Sequence, residues 1–271
     1  VKLDYSADLI ADEAIAFIRE NSRRPFFLYY ASTLPHVNNE AGEEGMEVPD
    51  LGPYADKPWP KAQKGHAAMV ARLDRDVGRI LQTVASLGIE QNTIIFFSSD
   101  NGPHREAGYN PAFFRSSGGF RGIKRDLYEG GIRVPFLVRW PGKIPAGHIS
   151  EHVGYHGDVF ATVAELSGAA PQGGLNSLSF VKAMVGSPGQ DQHSHLYWES
   201  YEQGGAKAVR LGDWKGVARV RNSDKIELYD LSKDLMEAMD VASSHPEVVK
   251  RLRSVMEREH TPSDYFPRKK K

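Results

Sequence analysis

The residues that could carry chemistry lie just after two apolar runs of the chain. His36 follows residues 26–30 (FFLYY), and the pair Asp100 and Asn101 follows residues 93–97 (TIIFF). Carboxylate and amide oxygens are the hard donors that Ca²⁺ and Mg²⁺ prefer. A plain turn explains Asp100 and Asn101 as well, because a glycine comes next and Asn-Gly is a common turn dipeptide. The pattern therefore leaves two interpretations open, a cation site and a turn.

Two more polar side chains lie a short distance further along the sequence. His104 follows the turn glycine by two residues, and Lys124 stands in a loop that is bordered by glycines. A lysine in such a loop can hold an anion, and it can equally be ordinary surface charge. His36 and His104 share this ambiguity, because a lone loop histidine is often only solvated or hydrogen-bonded. A functional role for each of these residues is supported only if the fold brings it close to the others.

The elements around these residues are predicted from the spacing of apolar side chains. Apolar residues recur at helical intervals over residues 1–20 and again over residues 66–87. Asp158 is a predicted N-cap of a helix that Gly168 ends, and Ser244 is a predicted N-cap of the last helix. Short continuous apolar runs predict strands that are covered on both faces. These runs are residues 26–30, 93–97 and 134–140.

The alternation of strands and helices predicts an α/β domain with a mainly parallel sheet. After Gly189 the pattern changes to four short strand-like runs separated by turn residues, and one amphipathic helix follows. That pattern predicts a small antiparallel sheet with a packing helix. We therefore predict a main domain over residues 1–189 and a small subdomain over residues 190–271. Ligands of open α/β sheets bind outside the carboxyl ends of the strands, so His36 and Asp100 are expected at one edge.

The overall composition argues against several classes of protein. Charged residues make up 25% of the 271 residues and nearly balance, with a formal net charge of −1, which argues against nucleic-acid or membrane-surface binding by bulk charge. The basic end at residues 268–271 is interpreted as a solvated tail. No apolar run approaches the roughly 20 residues of a membrane span, and no secretory signal pattern opens the chain. Cysteine is absent, which excludes disulfides, thiolate metal sites and a cysteine nucleophile within these residues.

Four short motifs occur in an order that is specific when they are taken together. "LPH", "SSDNG", "GxK…EGGxRVP" and "LYDLSKD" follow one another along the chain. In this order the chain resembles the sulfatase family of the alkaline-phosphatase-like superfamily, from Pro25 to about Pro267. The run "LYWESYEQGGAKAVRLGDWK" is similar to the C-terminal subdomain of bacterial arylsulfatase-type enzymes that act on sulfated sugars. The resemblance implies an alkaline-phosphatase-like fold and hydrolysis of aryl or carbohydrate sulfate monoesters.

The resemblance also implies a role for each candidate residue. Asp100 and Asn101 would be two ligands of an active-site Ca²⁺. His36 would bind the sulfate and serve as the acid for the departing alcohol, and Lys124 would hold the same sulfate and leaving-group region. His104 would line the substrate pocket. The implied partner is a sulfated small molecule or glycan, and the implied location is periplasmic or extracellular.

One departure from the family pattern concerns the nucleophile. Sulfatases use a formylglycine that is made from the first residue of a Cys/Ser-x-Pro-x-Arg motif. This chain has no cysteine, and its nearest serine match, "SHPEV" from Ser244, lacks the arginine. The early paired aspartates and the first lysine–histidine group of the family are also missing. We therefore expect the C-terminal part of a longer sulfatase, inactive as this chain alone and able to self-associate through an exposed sheet edge.

Two other functions remain open from the sequence. Another hydrolase of the same superfamily, such as a phosphodiesterase or phosphatase, would usually hold two metals with extra histidine and aspartate ligands, and these cannot be placed in the sequence. A non-catalytic module that binds sulfated glycans would need no nucleophile at all. The number of bound metals distinguishes a sulfatase from another hydrolase of the superfamily. Retention of a glycan without turnover distinguishes a binding module from an enzyme.

Overall fold

The computed structural model of the protein describes residues 4–170, 173–219 and 225–263. The predicted basic tail at residues 268–271 lies outside these ranges. The chain divides into two compact units, each of which is described by itself. The first unit is Val1–Phe96, His104–Arg115 and Val138–Gly142, and the second is Phe97–Pro103, Ser116–Leu137 and Lys143–Lys271. The division predicted after residue 189 stays a prediction.

Two amphipathic helices, α1 (Ser6–Asn21) and α2 (Lys61–Ser86), pack against each other in the first unit. The predicted helix is confirmed, and Ala7, Ala11, Ala14 and Ile18 are buried at helical spacing, whereas Leu9 and Ile10 are exposed. Asp8 of α1 accepts hydrogen bonds from Arg72 at 2.9 Å and from Arg75 at 2.7 Å, so ion pairs join the two helices beside their apolar contact. Helix α2 begins five residues before its predicted start, directly after a proline.

Residues 26–30 do not form the predicted strand. The segment has no ladder partner among the described residues, and Phe27 and Tyr29 are 69% and 82% exposed. The prediction of a strand covered on both faces is therefore wrong here. The other two apolar runs do contain strands, β1 (Ile95–Ser98) and β2 (Phe136–Arg139), which pair in a two-stranded sheet. An apolar run specifies an extended backbone, but a strand also needs a partner that the run itself does not encode.

The second unit contains the antiparallel sheet that the sequence predicts. Its four strands pair in chain order, and each neighbouring pair is antiparallel. Among the described residues this sheet and the β1–β2 pair are the only sheets, so the predicted mainly parallel sheet is not seen there. The strands are β3 (Leu196–Ser200), β4 (Ala206–Leu211), β5 (Trp214–Arg219) and β6 (Ile226–Asp230).

The described residues of the second unit also include four α-helices. They are α3 (Glu129–Ile132), α4 (Asp158–Ser167), α5 (Val181–Val185) and α6 (Pro246–Glu259). Gly168 ends α4 in the left-handed conformation, as predicted. Ser244 is not the N-cap of α6, because that position is taken by His245, and Asp158 is the first helical residue of α4 instead of its cap. Cap positions depend on the local backbone, which composition predicts only to within a residue or two.

Both faces of the antiparallel sheet are covered. Helix α6 packs on one face, where Gly216 permits close approach because a Cβ there would lie 2.9 Å from Leu252 Cδ1. On the other face, Leu127 and Tyr128 join a second buried cluster with side chains of β4, β5 and β6. The residues that directly precede α3 are therefore anchored on the sheet. No described helix is both long enough and apolar enough to cross a membrane.

Candidate active site

The turn that carries Asp100 and Asn101 follows β1 and is packed against α3. The Gly102 N–H donates to the Gly131 carbonyl oxygen at 2.9 Å. A Cβ built on Gly102 would lie only 1.9 Å from the Gly130 carbonyl oxygen. Glycine is required at residue 102 by this close approach of two backbones. The Asn-Gly pair is thus a turn, and that turn is fixed to a neighbouring element.

Asp100 and Asn101 present oxygen atoms of the kind that Ca²⁺ binds. The Asp100 side chain is exposed, and the Asn101 amide nitrogen donates to the Gly102 carbonyl oxygen at 2.9 Å. That bond employs the nitrogen and leaves the amide oxygen as the ligand-type atom. Within the described ranges, no group of three or more histidine, aspartate or glutamate residues is arranged to hold a metal. The pair therefore fits Ca²⁺ in chemistry but supplies only two of the six to eight oxygens that the ion takes.

Lys124 lies beside the same turn. Its backbone N–H donates to the Pro103 carbonyl oxygen at 2.9 Å, and its side chain is half-buried. The hydrogen bond joins the glycine-bordered loop to the end of the Asp100 turn, although 20 residues lie between Pro103 and Lys124 in the sequence. The structure therefore brings three of the predicted site residues into one neighbourhood of the second unit.

A buried ion network holds α3 in place behind this turn. Lys215 of β5 is fully buried, and its Nζ lies 2.8 Å from Glu129 Oε1 and 2.9 Å from Glu237 Oε1. The Glu129 N–H also donates to Glu237 Oε2 at 2.6 Å. Burial raises the pKa of Glu237, although the Lys215 ammonium opposes that rise. The glycine-rich motif at α3 therefore has a structural role, because the Glu129 carboxylate is bound to the antiparallel sheet through Lys215.

Ser98, the last residue of β1, belongs to the same unit and was not predicted as a site residue. Its Oγ donates to the Pro135 carbonyl oxygen at 2.9 Å and lies 3.0 Å from His156 Nε2. A serine beside a histidine is a nucleophile pattern only when the histidine accepts the hydroxyl proton. Because this hydroxyl has a backbone acceptor, the geometry favours a structural link between β1 and the residue that precedes β2.

In the first unit, the structure brings His36 and His104 together. Their rings stack with centroids 5.7 Å apart and an interplanar angle of 28°. His36 Nδ1 lies 2.7 Å from the Val37 carbonyl oxygen, so Nδ1 carries a proton, and Nε2 lies 3.9 Å from Glu106 Oε2. The exposed ring of His36 therefore rests on the buried ring of His104. His104 is therefore a buried residue that packs against His36, and it is not a solvated loop histidine.

Sequence reasoning missed two residues that surround His104. The Glu106 N–H donates to His104 Nδ1 at 3.2 Å, which fixes this nitrogen as an acceptor. His66 of α2 lies with its ring centroid 6.2 Å from that of His104 and stacks on Tyr109 at 3.9 Å. Burial, with a contribution from His104, lowers the pKa of His66 to about 4. Helical spacing predicts that His66 lies on a helix, but nothing local indicates its neighbours.

The five predicted site residues thus form two groups. Asp100, Asn101 and Lys124 lie together in the second unit, and His36 stacks on His104 in the first. The convergence of both groups on one cleft stays a prediction.

Comparison with known proteins assigns the chain to a family. A profile of the Sulfatase family matches residues 2–169, which is more than half of the chain. The chain belongs to the sulfatase family. A second profile, described as N-sulphoglucosamine sulphohydrolase, C-terminal, matches residues 120–261 of this sulfatase-family chain.

Individual sulfatases agree with this assignment. The chain is 31% identical over 278 residues to the N-acetylgalactosamine-6-O-sulfatase of Bacteroides thetaiotaomicron, covering 93% of this chain and 50% of that protein. It is 29% identical over 282 residues to human arylsulfatase A, with the same two coverages of 93% and 50%. The sulfatase-family chain therefore spans about half the length of the curated relatives it matches.

Solved structures show the same fold. The crystal structure of Ps i-CgsB in complex with k-i-k-neocarrahexaose is similar with a TM-score of 0.78 and 28% identity, covering 95% of this chain and 55% of that one. A structure from work on glycosaminoglycan metabolism by Bacteroides thetaiotaomicron is similar with a TM-score of 0.74 and 29% identity. It covers 93% of this chain and 54% of that one. The α/β fold with an antiparallel sheet is thus a sulfatase fold.

Proposed function

We propose that the protein to which this chain belongs hydrolyses sulfate monoesters of carbohydrates or aryl alcohols. The observation that carries the proposal is the turn at Asp100 and Asn101, which Lys124 contacts through Pro103, in a chain of the sulfatase family. Asp100 and Asn101 are proposed as two Ca²⁺ ligands, with further oxygens from water or from protein outside these residues. A bound divalent cation supplies positive charge that stabilises negative charge on sulfate oxygens.

The side chains of this chain would bind and protonate the substrate. The Lys124 ammonium is proposed to pair with sulfate oxygens and with the ester oxygen on which charge develops as the S–O bond breaks. His36 is proposed to donate a proton from Nε2 to the departing alcohol, since imidazole can hold and release a proton near neutral pH. The Nδ1–H of His36 is already donated to the Val37 carbonyl oxygen, which orients Nε2 for this role.

The nucleophile of the proposed reaction is not a residue of this chain. The 271 residues contain no cysteine, and no serine begins the Ser-x-Pro-x-Arg pattern that precedes formylglycine in the family. Loss of a covalent nucleophile can cost several orders of magnitude in rate even where binding groups remain. Residues 1–271 alone are therefore expected to show negligible turnover, and the activity is expected of the full-length protein with a matured formylglycine.

The substrate class is proposed to be a sulfated sugar. The bacterial relative carries the name of an N-acetylgalactosamine-6-O-sulfatase, and one structural neighbour holds a neocarrahexaose. A periplasmic or extracellular location is proposed with this substrate class, since sulfated glycans are met there.

The test compares variants of the full-length protein with Ca²⁺ present. Lys124→Met and His36→Asn are each expected to lower kcat/KM for 4-nitrophenyl sulfate and for N-acetylgalactosamine 6-sulfate by roughly 100-fold or more, because each removes a group aimed at developing charge. Lys143→Met removes an exposed lysine outside the site and is the matched control. Turnover by both variants at the wild-type rate would show that the assigned site is wrong.

The same assays separate the alternative functions. Wild-type turnover of 4-nitrophenyl phosphate above that of the sulfate, with two metals bound per protein, would identify another hydrolase of the superfamily. Retention on a sulfated glycan without turnover by the full-length protein would identify a binding module. Residues 1–271 assayed beside the full-length protein test the nucleophile, because comparable rates would place it within this chain.

A further inference from the structure

A partly exposed cluster of aromatic side chains lies in the first unit. It consists of Tyr54, Trp59, Phe113 and Phe114, which we name the aromatic platform. Tyr54 stacks on Trp59 with centroids 5.9 Å apart, and the edges of Phe113 and Phe114 meet Trp59 at 5.8 and 5.2 Å. Phe113 and Phe114 remain 43% and 37% exposed. Contiguous exposed apolar side chains of this size usually mark a binding site.

The backbone around the platform holds the rings in place. Trp59 lies between Pro58 and Pro60, and Pro60 is the N-cap of α2. Lys64 in the first turns of that helix donates from Nζ to the Ala55 carbonyl oxygen at 2.9 Å, which ties the preceding loop to the helix. The platform is thus ordered before a ligand arrives, so binding costs little conformational entropy.

A continuous line of rings runs from the platform to His36 within the same unit. Phe114 stacks on His66 with centroids 6.4 Å apart, and His66 contacts His104 at 6.2 Å. His104 in turn stacks on His36 at 5.7 Å. The platform is therefore connected to the histidine that the proposed reaction employs through two intervening rings, those of His66 and His104.

A cation accompanies the apolar rings. Lys57 Nζ lies 5.9 Å from the centroid of the Trp59 ring, and its side chain is exposed. A pyranose presents a face of C–H groups that suits an aromatic ring, and a sulfate or carboxylate on the same sugar suits an ammonium. A purely apolar partner would leave that charge without a function.

We propose that the aromatic platform binds a further pyranose of a sulfated oligosaccharide, on the same chain as the sugar whose sulfate is removed. The proposal rests on the proposed function, because His36 marks the position of that sulfate. This further pyranose contacts the Trp59 and Phe113 rings, which meet at 73°, and its anionic group pairs with Lys57. The platform thereby gives the site its preference for an oligosaccharide over a monosaccharide or an aryl sulfate.

The test employs the full-length protein and a sulfated tetrasaccharide that carries N-acetylgalactosamine 6-sulfate at its non-reducing end. For Trp59→Ala and Phe113→Ala, the ratio of kcat/KM for the tetrasaccharide to that for 4-nitrophenyl sulfate is expected to fall at least about tenfold. Lys57→Gln preserves the rings and is expected to lower the same ratio, with a smaller effect at high salt. Tyr29→Ala removes an exposed ring away from the platform and should keep the wild-type ratio. Wild-type ratios for Trp59→Ala, Phe113→Ala and Lys57→Gln together would overturn the proposal.

Binding measurements keep this test separate from the test of hydrolysis. Calorimetric titration is expected to give weaker tetrasaccharide binding for Trp59→Ala and unchanged binding of the monosaccharide, whether or not sulfate is released. Such a result without turnover supports the platform and contradicts the proposed hydrolysis. In the ligand-free protein, iodide is expected to quench the fluorescence of an accessible Trp59. Quenching of tryptophan fluorescence should therefore differ between the wild type and Trp59→Phe. Shielding of Trp59 there would show that another part of the protein covers these rings, and would overturn the proposal.

Discussion

At the scale of single residues, the charge state of His66 is determined by its surroundings. His66 stacks on Tyr109 and lies against His104, and its Nδ1 is buried with no hydrogen-bond partner among the described residues. An imidazolium in this position would be desolvated and close to a second histidine. His66 is therefore neutral at physiological pH, and it serves as an aromatic spacer between α2 and the His104 segment.

This burial predicts a pH dependence of stability. The pKa of His66 is lowered to about 4 in the folded protein, compared with about 6.5 when unfolded, so the unfolded chain binds one more proton between these values. Stability from His66 is thus fully present above pH 6.5 and is lost as the pH falls toward 4. Between pH 7.5 and 5.0 the loss is about 2 kcal/mol.

The measurement is urea unfolding of wild type and His66→Phe at the two pH values. The phenylalanine keeps the ring stacking and removes the titrating group. The free energy of unfolding of His66→Phe should therefore fall by about 2 kcal/mol less than that of the wild type over this pH range. His148→Phe replaces an exposed histidine and serves as the control. Equal pH dependence of wild type and His66→Phe would contradict the assignment of a buried neutral ring.

At the scale of elements, two close contacts decide where Asp100 and Asn101 lie. The first is the approach of the Gly102 backbone to the Gly130 carbonyl oxygen in α3. The second is the attachment of α3 to β5 through Glu129 and Lys215. The candidate metal ligands are thus positioned by a chain of contacts that begins in the antiparallel sheet, although no strand of that sheet carries them.

Gly102→Ala is expected to be destabilising by about 2 kcal/mol or more, because the new Cβ would displace one of two packed backbones. Gly78→Ala in α2 is the matched control, since no atom lies within 4 Å of the Cβ that it would add. Alanine in a helix interior should raise stability by about 0.5–1 kcal/mol. Chemical denaturation measures both changes, and equal small effects at the two glycines would disprove the close approach.

Lys215→Met is expected to destabilise the protein by about 3–5 kcal/mol, because it leaves the carboxylates of Glu129 and Glu237 buried without their cation. The control is Lys233→Met, which removes an exposed lysine paired with Asp230 and should have little effect. Urea midpoints at pH 7 give the comparison. If Lys215→Met and Lys233→Met both unfolded at the wild-type urea midpoint, the buried ion network would not stabilise the position of α3.

At the scale of the whole molecule, each unit exposes apolar side chains of a segment that the sequence predicts as a strand. In the first unit Phe27 and Tyr29 are exposed, and in the second unit Phe136 and Leu137 of β2 are exposed. Extended segments with unpaired backbone groups and apolar side chains are templates for pairing with another chain. Self-association of residues 1–271 through such a segment therefore remains a prediction.

Light scattering of residues 1–271 is expected to show species larger than the monomer. The protein concentration is varied from about 1 to about 100 µM, a range suited to weak association. The double variant Phe27→Ser, Tyr29→Ser should shift this equilibrium toward the monomer, whereas Met239→Ser, at an exposed residue outside these segments, should not. A wild-type chain that stays monomeric throughout would contradict the prediction.

The sequence by itself determined the local elements and the family. Helical spacing predicts α1, α2 and α6, and alternating short runs with turn residues predict the antiparallel sheet from β3 to β6. The order of four short motifs predicts membership of the sulfatase family, which the matched family profiles confirm. These features are readable because periodicity and motif order are properties of neighbouring residues.

Only the tertiary structure decided which distant residues meet. The run at residues 26–30 has the composition of a buried strand, yet it pairs with no strand in the described part of the chain and exposes Phe27 and Tyr29. Gly102 has the appearance of an ordinary turn glycine, yet it is required by the backbone of Gly130. Lys215 occupies a position in β5 that composition would leave at the surface, and it is fully buried between two carboxylates. Pairing, close approach and charge burial depend on residues far apart in the chain, so no local pattern specifies them.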